Sequence, residues 1–125
     1  MKLNHLNIVV GNVAAAIRFF ETYFNFECIE IKGDHIVAVL KGTGGFTLVI
    51  MKDKAESPDY PGGFHIGFML DSEEEVIETY QRLKTAGFVS EQEPKKIRDS
   101  FGFYFTFENL MIEVGYYYEN IKGID

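Results

Sequence analysis

The sequence has one cysteine, no tryptophan and only three prolines in 125 residues, and its 12 basic side chains are outnumbered by 19 acidic ones. A single thiol, Cys28, excludes an intrachain disulfide framework and fits a reducing compartment. It lies within the alternation of Phe26 to Ile31, where it reads as a small strand hydrophobe, and no neighbour there would lower its pKa for catalysis. The formal charge of −7 argues against nucleic acid and anionic membrane surfaces, because neutralising phosphates requires clustered Lys and Arg. The one basic cluster, Lys95, Lys96 and Arg98, is short and flanked by acids, as in a solvated loop. No apolar run approaches the roughly 20 residues that cross a bilayer. The opening Met1-Lys2-Leu3-Asn4-His5 has no apolar export segment. A cytoplasmic protein that binds neither nucleic acid nor membrane is expected.

What is present is enough to fill a core. Hydrophobic residues make up 46% of the chain, with 12 Phe and 7 Tyr, which suits one globular domain over residues 1–125. One pattern is written twice. In module one, residues 1–51, a strand over Leu3–Val10 is followed by Asn12, whose side chain can cap a helix. Val13, Ile17, Phe20 and Phe24 form that helix's buried stripe, and Asn25 suits a left-handed exit. Strands are predicted over Phe26–Ile31, His35–Lys41 and Phe46–Met51, with turns at Gly33-Asp34 and at Gly42 to Gly45. Residues 52–63 are polar, hold two of the three prolines, and read as a linker.

The pattern restarts in module two, residues 64–115. A strand over Phe64–Leu70 precedes a capping box of Ser72 and Glu75. A helix buries Val76, Ile77, Tyr80 and Leu83 and stops at Gly87. Phe88–Val89 begins a short strand, Phe101–Phe107 is a strong one, and Leu110–Val114 closes the set after a turn at Glu108-Asn109. Each half is βαβββ, so the fold class is α+β. His65 follows His5 by 60 residues, and Tyr80 follows Phe20 by the same interval. Glu91 to Asp99 is too charged to place a strand.

Strand parity sorts the side chains by face. Leu6, Ile8 and Val10, with Ile66, Phe68 and Leu70, pack toward the helices, leaving His5, Asn7, Val9, His65 and Met69 on the other side. In the last strand, Leu110, Ile112 and Val114 face the helix, which sends Met111 and Glu113 the other way. A carboxylate in the apolar run Leu110–Val114 is costly unless paired or metal-bound. Two imidazoles and one carboxylate suit Zn, Ni, Mn, Fe or Co as a divalent ion and leave positions for a substrate. A strand histidine is equally a hydrogen-bonded surface residue, and no ligand spacing here is diagnostic. His35, after a turn and with no repeat equivalent, reads as a surface residue.

These residues also carry a resemblance. His5-Leu-Asn-Ile-Val-Val with Val13 to Glu27, and Phe103-Tyr-Phe-Thr-Phe-Glu-Asn-Leu-Met-Ile-Glu-Val, resemble the opening and closing motifs of the vicinal oxygen chelate superfamily, which includes glyoxalases, bleomycin resistance proteins and extradiol dioxygenases. The resemblance implies βαβββ modules curled into a mixed-sheet cup around a divalent metal, with His5, His65 and Glu113 as ligands. It implies Glu113 and Tyr104 as catalytic groups and Asn7, Val49, Met69, Tyr104, Met111 and Arg98 around a substrate pocket. It also implies a homodimer acting on a small molecule, with glyoxalase-like lyase or isomerase chemistry. Dioxygenase or thiol-transferase chemistry, or metal-free sequestration of a drug, are its alternatives. Val49 stands where a four-ligand glyoxalase I carries its fourth ligand. Gly102 replaces the serine of fosfomycin-resistance transferases, and the closing hairpin lacks the family's Asp-Pro-Asp-Gly turn.

Overall fold

The computed structural model describes residues 1–89 and 92–118. They form two compact units, Met1–Asp59 and Tyr60–Asp125. The first runs β1 (His5–Val10), α1 (Val13–Tyr23), β2 (Glu27–Lys32), β3 (Val37–Lys41) and β4 (Thr47–Lys52). The second runs β5 (His65–Met69), α2 (Glu73–Thr85), β6 (Lys95–Ile97), β7 (Ser100–Phe107) and β8 (Leu110–Tyr117). Each unit is therefore βαβββ, and the chain is α+β. The two four-stranded mixed sheets share one topology, β1-β4-β3-β2 and β5-β8-β7-β6, in which the first strand pairs parallel with the last and the other pairs are antiparallel. Among the described residues, no helix is long and apolar enough to cross a membrane.

Local chemistry explains the boundaries. Asn12 Oδ1 accepts the Ala15 N–H at 3.0 Å and starts α1, while Asn25 leaves it in the left-handed region at φ 58°. Ser72 Oγ accepts the Glu75 N–H at 3.2 Å, and the Glu75 carboxylate returns to the Asp71 N–H at 3.1 Å, one residue earlier than a standard capping box. Three acids in the first turn of α2 and Arg82 and Lys84 in its last turn complement the helix dipole. Glu108 and Asn109 both take positive φ, 52° and 66°, as a two-residue hairpin turn between right-twisted strands requires.

The core lies between each sheet and its helix. In unit one Ile8, Val10, Leu48 and Ile50 meet Val13, Ala16, Ile17 and Phe20. In unit two Leu110, Ile112 and Val114 with Phe103 and Phe105 meet Val76, Tyr80 and Leu83. The Tyr80 ring packs edge-on to Phe103 at 5.3 Å.

Several expectations are corrected. Phe88–Val89 is not a strand. The Gly87 N–H bonds to the Lys84 carbonyl and the Phe88 N–H to the Leu83 carbonyl, so both residues are used in closing α2. The short strand is instead Lys95–Ile97, inside the charged stretch, where lysines on an edge strand discourage pairing with other chains. His35 and Ile36 belong to the turn, with His35 at φ 56°, and β3 starts at Val37. β1 starts at His5, not Leu3. Ile77 is 43% exposed, because α2 turns only Val76, Tyr80 and Leu83 inward.

Candidate metal centre

The register of β8 between its two neighbours sets out the face that points away from α2. Glu113 lies beside Gly67 of β5 on one side and Tyr104 of β7 on the other. One step along, Met111 lies between His65 and Thr106; in the other direction, Gly115 lies between Met69 and Gly102. A methyl group at Gly67 would stand 3.6 Å from Glu113 Oε1, an ordinary contact. The carboxylate reaches toward His65, with Oε1 3.5 Å from Nε2. Glu113 is mostly covered, at 14% side-chain exposure, while His65 keeps 40% and stays open to a ligand.

The proton positions follow from the partners. His65 Nδ1 lies 3.0 Å from the Gly63 carbonyl oxygen, which can only accept, so Nδ1 carries the proton. In the neutral ring, Nε2 then presents a lone pair toward an anionic oxygen. Two electron-pair donors face each other, an arrangement that calls for a cation or a second ring proton between them. Donors bound to one tetrahedral ion at ordinary Zn–N and Zn–O lengths stand about 3.3 Å apart. The residues therefore fit a divalent ion, supplying nitrogen and oxygen in the combination that borderline metals accept.

Tyr104 completes the cluster. Its ring meets the His65 ring edge-on at 5.7 Å, and its hydroxyl is directed at Glu113. Loss of hydration, then the negative charge of Glu113 and hydrogen bonding to it, raise the Tyr104 pKa above the usual tyrosine value. The phenol stays protonated and acts as a donor. Tyr104 also lines two clefts, one of about 310 Å³ with Phe88, Val89, Thr106 and Met111, and one of about 190 Å³ with Lys95, Ile97 and Gly102.

In module one, His5 is paired in register with Thr47 and Asn7 with Val49. Val49 thus occupies beside Asn7 the place that Glu113 occupies beside Gly67. Asn7 Nδ2 points to the Met51 sulfur at 3.1 Å, and His5 Nδ1 to Asn4 Oδ1 at 2.7 Å. Arg98 sits in the exposed β6–β7 turn at φ 55°. Among the described residues, no three His, Cys, Asp or Glu side chains are grouped to hold a metal. Sequence reasoning missed Gly63, whose carbonyl oxygen lies 3.0 Å from His65 Nδ1.

Gly102 has a structural cause. A Cβ there would fall 2.3 Å from the Val114 carbonyl oxygen and 2.8 Å from Gly115 Cα, both backbone atoms of β8. Installing the missing serine by Gly102→Ser is expected to cost about 1–3 kcal/mol of stability through overpacking. Urea unfolding would read this as a lowered midpoint, and an unchanged midpoint would show that β7 and β8 separate freely.

Paired βαβββ modules, with a histidine–carboxylate pair on the open face of the second, define an α+β protein. The Glyoxalase/Bleomycin resistance protein/Dioxygenase superfamily model matches residues 2–113, and the chain belongs to that superfamily. It is similar to a possible glyoxalase from Bacillus cereus, at 40% identity and TM-score 0.80, covering 91% of this chain and 97% of that one. A fosfomycin resistance protein of Listeria monocytogenes shares the fold at 23% identity and TM-score 0.77, with 96% of each chain covered. Among curated proteins, a probable trivalent organoarsenical cleaving enzyme of Bacillus subtilis (strain 168) is 31% identical over 94 residues, 74% of this chain and 62% of the relative. A trivalent organoarsenical cleaving enzyme of Bacillus sp. (strain MD1) is 29% identical, with 55% of its length covered. The chain spans roughly three fifths of the length of these two relatives.

Proposed function

We propose that this protein is a divalent-metal-dependent enzyme of the glyoxalase-like lyase or isomerase type, acting on a small substrate through two vicinal oxygens. The observation that carries the reading is the His65–Glu113 pair, with Nε2 and a carboxylate oxygen facing each other at 3.5 Å. His65 and Glu113 would hold the ion with His5 as third ligand, a donor set that accepts Zn, Ni, Mn, Fe or Co. When bound, the ion supplies Lewis acidity to the substrate oxygens as negative charge develops. Tyr104 donates a hydrogen bond from its protonated hydroxyl and orients the carboxylate. Met69 and Met111, on the same face, give the substrate an apolar floor, and Asn7, Val49 and Arg98 are the further candidates for contact with it. The protein is proposed to work in the cytoplasm as a homodimer.

The relatives' arsenical chemistry is not carried over. Trivalent arsenic is thiophilic and is captured by grouped thiolates, whereas this chain has one cysteine, whose Sγ lies 3.6 Å from the Glu30 carbonyl oxygen. An oxygen-chelating substrate fits the donors present.

The test is metal analysis of the full chain, purified without chelators and incubated in turn with Zn²⁺, Ni²⁺, Mn²⁺, Fe²⁺ and Co²⁺. Retention of about one ion per site after gel filtration is expected, together with metal-dependent turnover of a hemithioacetal or another vicinal-oxygen substrate. Protein that takes up none of these ions would sink the reading and leave drug sequestration in its place.

A further inference from the structure

The segment that leads into β5 is built around a single acceptor. The Phe64 N–H donates to the Pro61 carbonyl at 3.1 Å, closing the turn Pro61-Gly62-Gly63-Phe64. Gly63, third in the turn, has φ 83°, the conformation for which a type II turn selects glycine. Tyr60 and Phe64 bracket the turn with rings 5.3 Å apart and 5° from parallel. The turn places the Gly63 carbonyl 3.0 Å from His65 Nδ1.

Neutral histidine in water favours the proton on Nε2, so this carbonyl holds the less favoured tautomer. In module one, Nδ1 of the repeat-equivalent His5 likewise lies beside an oxygen, the Asn4 side-chain Oδ1 at 2.7 Å.

We propose that Gly63 is a positioning residue whose carbonyl locks His65 in the Nδ1–H tautomer and presents the Nε2 lone pair on the side of Glu113, with the Tyr60–Phe64 stack holding the turn in shape. The requirement it serves rests on the metal-enzyme reading, but the tautomer itself does not. Outer hydrogen bonds of this kind typically change metal affinity about 10–100-fold when lost.

The experiment uses ¹⁵N-labelled, metal-free full-length chain about two pH units above the ordinary imidazole pKa of roughly 6.5. Long-range ¹H–¹⁵N correlation then identifies which ring nitrogen of His65 is protonated. Wild type is expected to show Nδ1–H. Gly63→Ala, strained at positive φ, is expected to shift His65 toward Nε2–H and weaken Zn²⁺ binding about 10–100-fold. Gly63→Asn, which tolerates the left-handed region, is expected to recover most of both. Should Gly63→Ala fail to fold, Phe64→Ala removes the stack from a residue that is 38% exposed and is expected to act in the same direction. A wild-type His65 protonated on Nε2 overturns the proposal, as does a folded Gly63→Ala protein with unchanged tautomer and zinc affinity. Wild type that shows Nδ1–H yet takes up no zinc upholds the positioning role and sinks the metal-enzyme reading instead.

Discussion

Glu113→Gln is expected to lower divalent-metal affinity about 100-fold or more, beyond the range seen when an outer hydrogen bond is lost, because it removes a direct ligand. The substitution keeps the shape of the side chain between Gly67 and Tyr104 and removes its charge. It also changes which groups face each other. With the ring neutral and its proton on Nδ1, the wild-type site opposes the His65 Nε2 lone pair with a carboxylate oxygen at 3.5 Å. A glutamine amide presents an N–H to that lone pair and turns two acceptors into a matched donor and acceptor. Metal-free Glu113→Gln protein is therefore expected to be as stable as wild type or slightly more stable, while retaining little zinc. Titration calorimetry with Zn²⁺ and a thermal melt of the metal-free protein measure the two effects. Unchanged zinc affinity would remove Glu113 from the site.

That opposition of effects separates a binding role from a structural one. A carboxylate kept for folding would be missed in the melt, whereas one kept for a cation is missed only when the cation is added. Tyr104 belongs to the same logic, since the Glu113 charge is among the causes that keep its hydroxyl protonated.

Much of this arrangement was legible because it rests on periodicity and short-range chemistry. The two-fold face alternation of β8 determines that Glu113 departs from the side of Ile112 and Val114, and the capping residues Asn12 and Ser72 announce their helices directly. The Val49 position could be read because a repeat carries register with it, and β4 pairs with β1 just as β8 pairs with β5. What was not legible depends on backbone groups. Phe88 looks like a strand residue by composition, but its N–H is used by the Leu83 carbonyl at the end of α2, and its ring lies 5.9 Å from Phe107. β6 is hidden because an edge strand of three residues has little apolar surface to advertise. The acceptor that orients His65 is a main-chain carbonyl, which no residue type encodes; only the glycine at positive φ marks the place.

The largest loss of stability is expected from Phe20→Ala. Phe20 is fully buried on the inner face of α1, and its ring meets Phe19 edge-on at 5.1 Å, Phe26 edge-on at 5.8 Å and Phe24 at 6.0 Å. Removing it deletes the centre of an aromatic cluster contributed by α1 and by the residue leading into β2, and rigid neighbours of that kind cannot collapse into the gap. Buried Phe→Ala changes cost about 3–5 kcal/mol, the lost transfer energy plus the cavity. That is a large share of the roughly 5–15 kcal/mol that stabilises a typical domain. The Phe20 backbone carbonyl accepts the Phe24 and Phe26 N–H groups at 3.1 and 3.4 Å, so the exit of α1 is expected to loosen with the cluster. Urea unfolding should show a much lower midpoint, and hydrogen exchange should show faster amides at Phe24 and Phe26. Phe20→Leu, which keeps most of the volume, is expected to recover more than half of the loss. A Phe20→Ala midpoint close to that of wild type would mean that the cluster is not the core of module one.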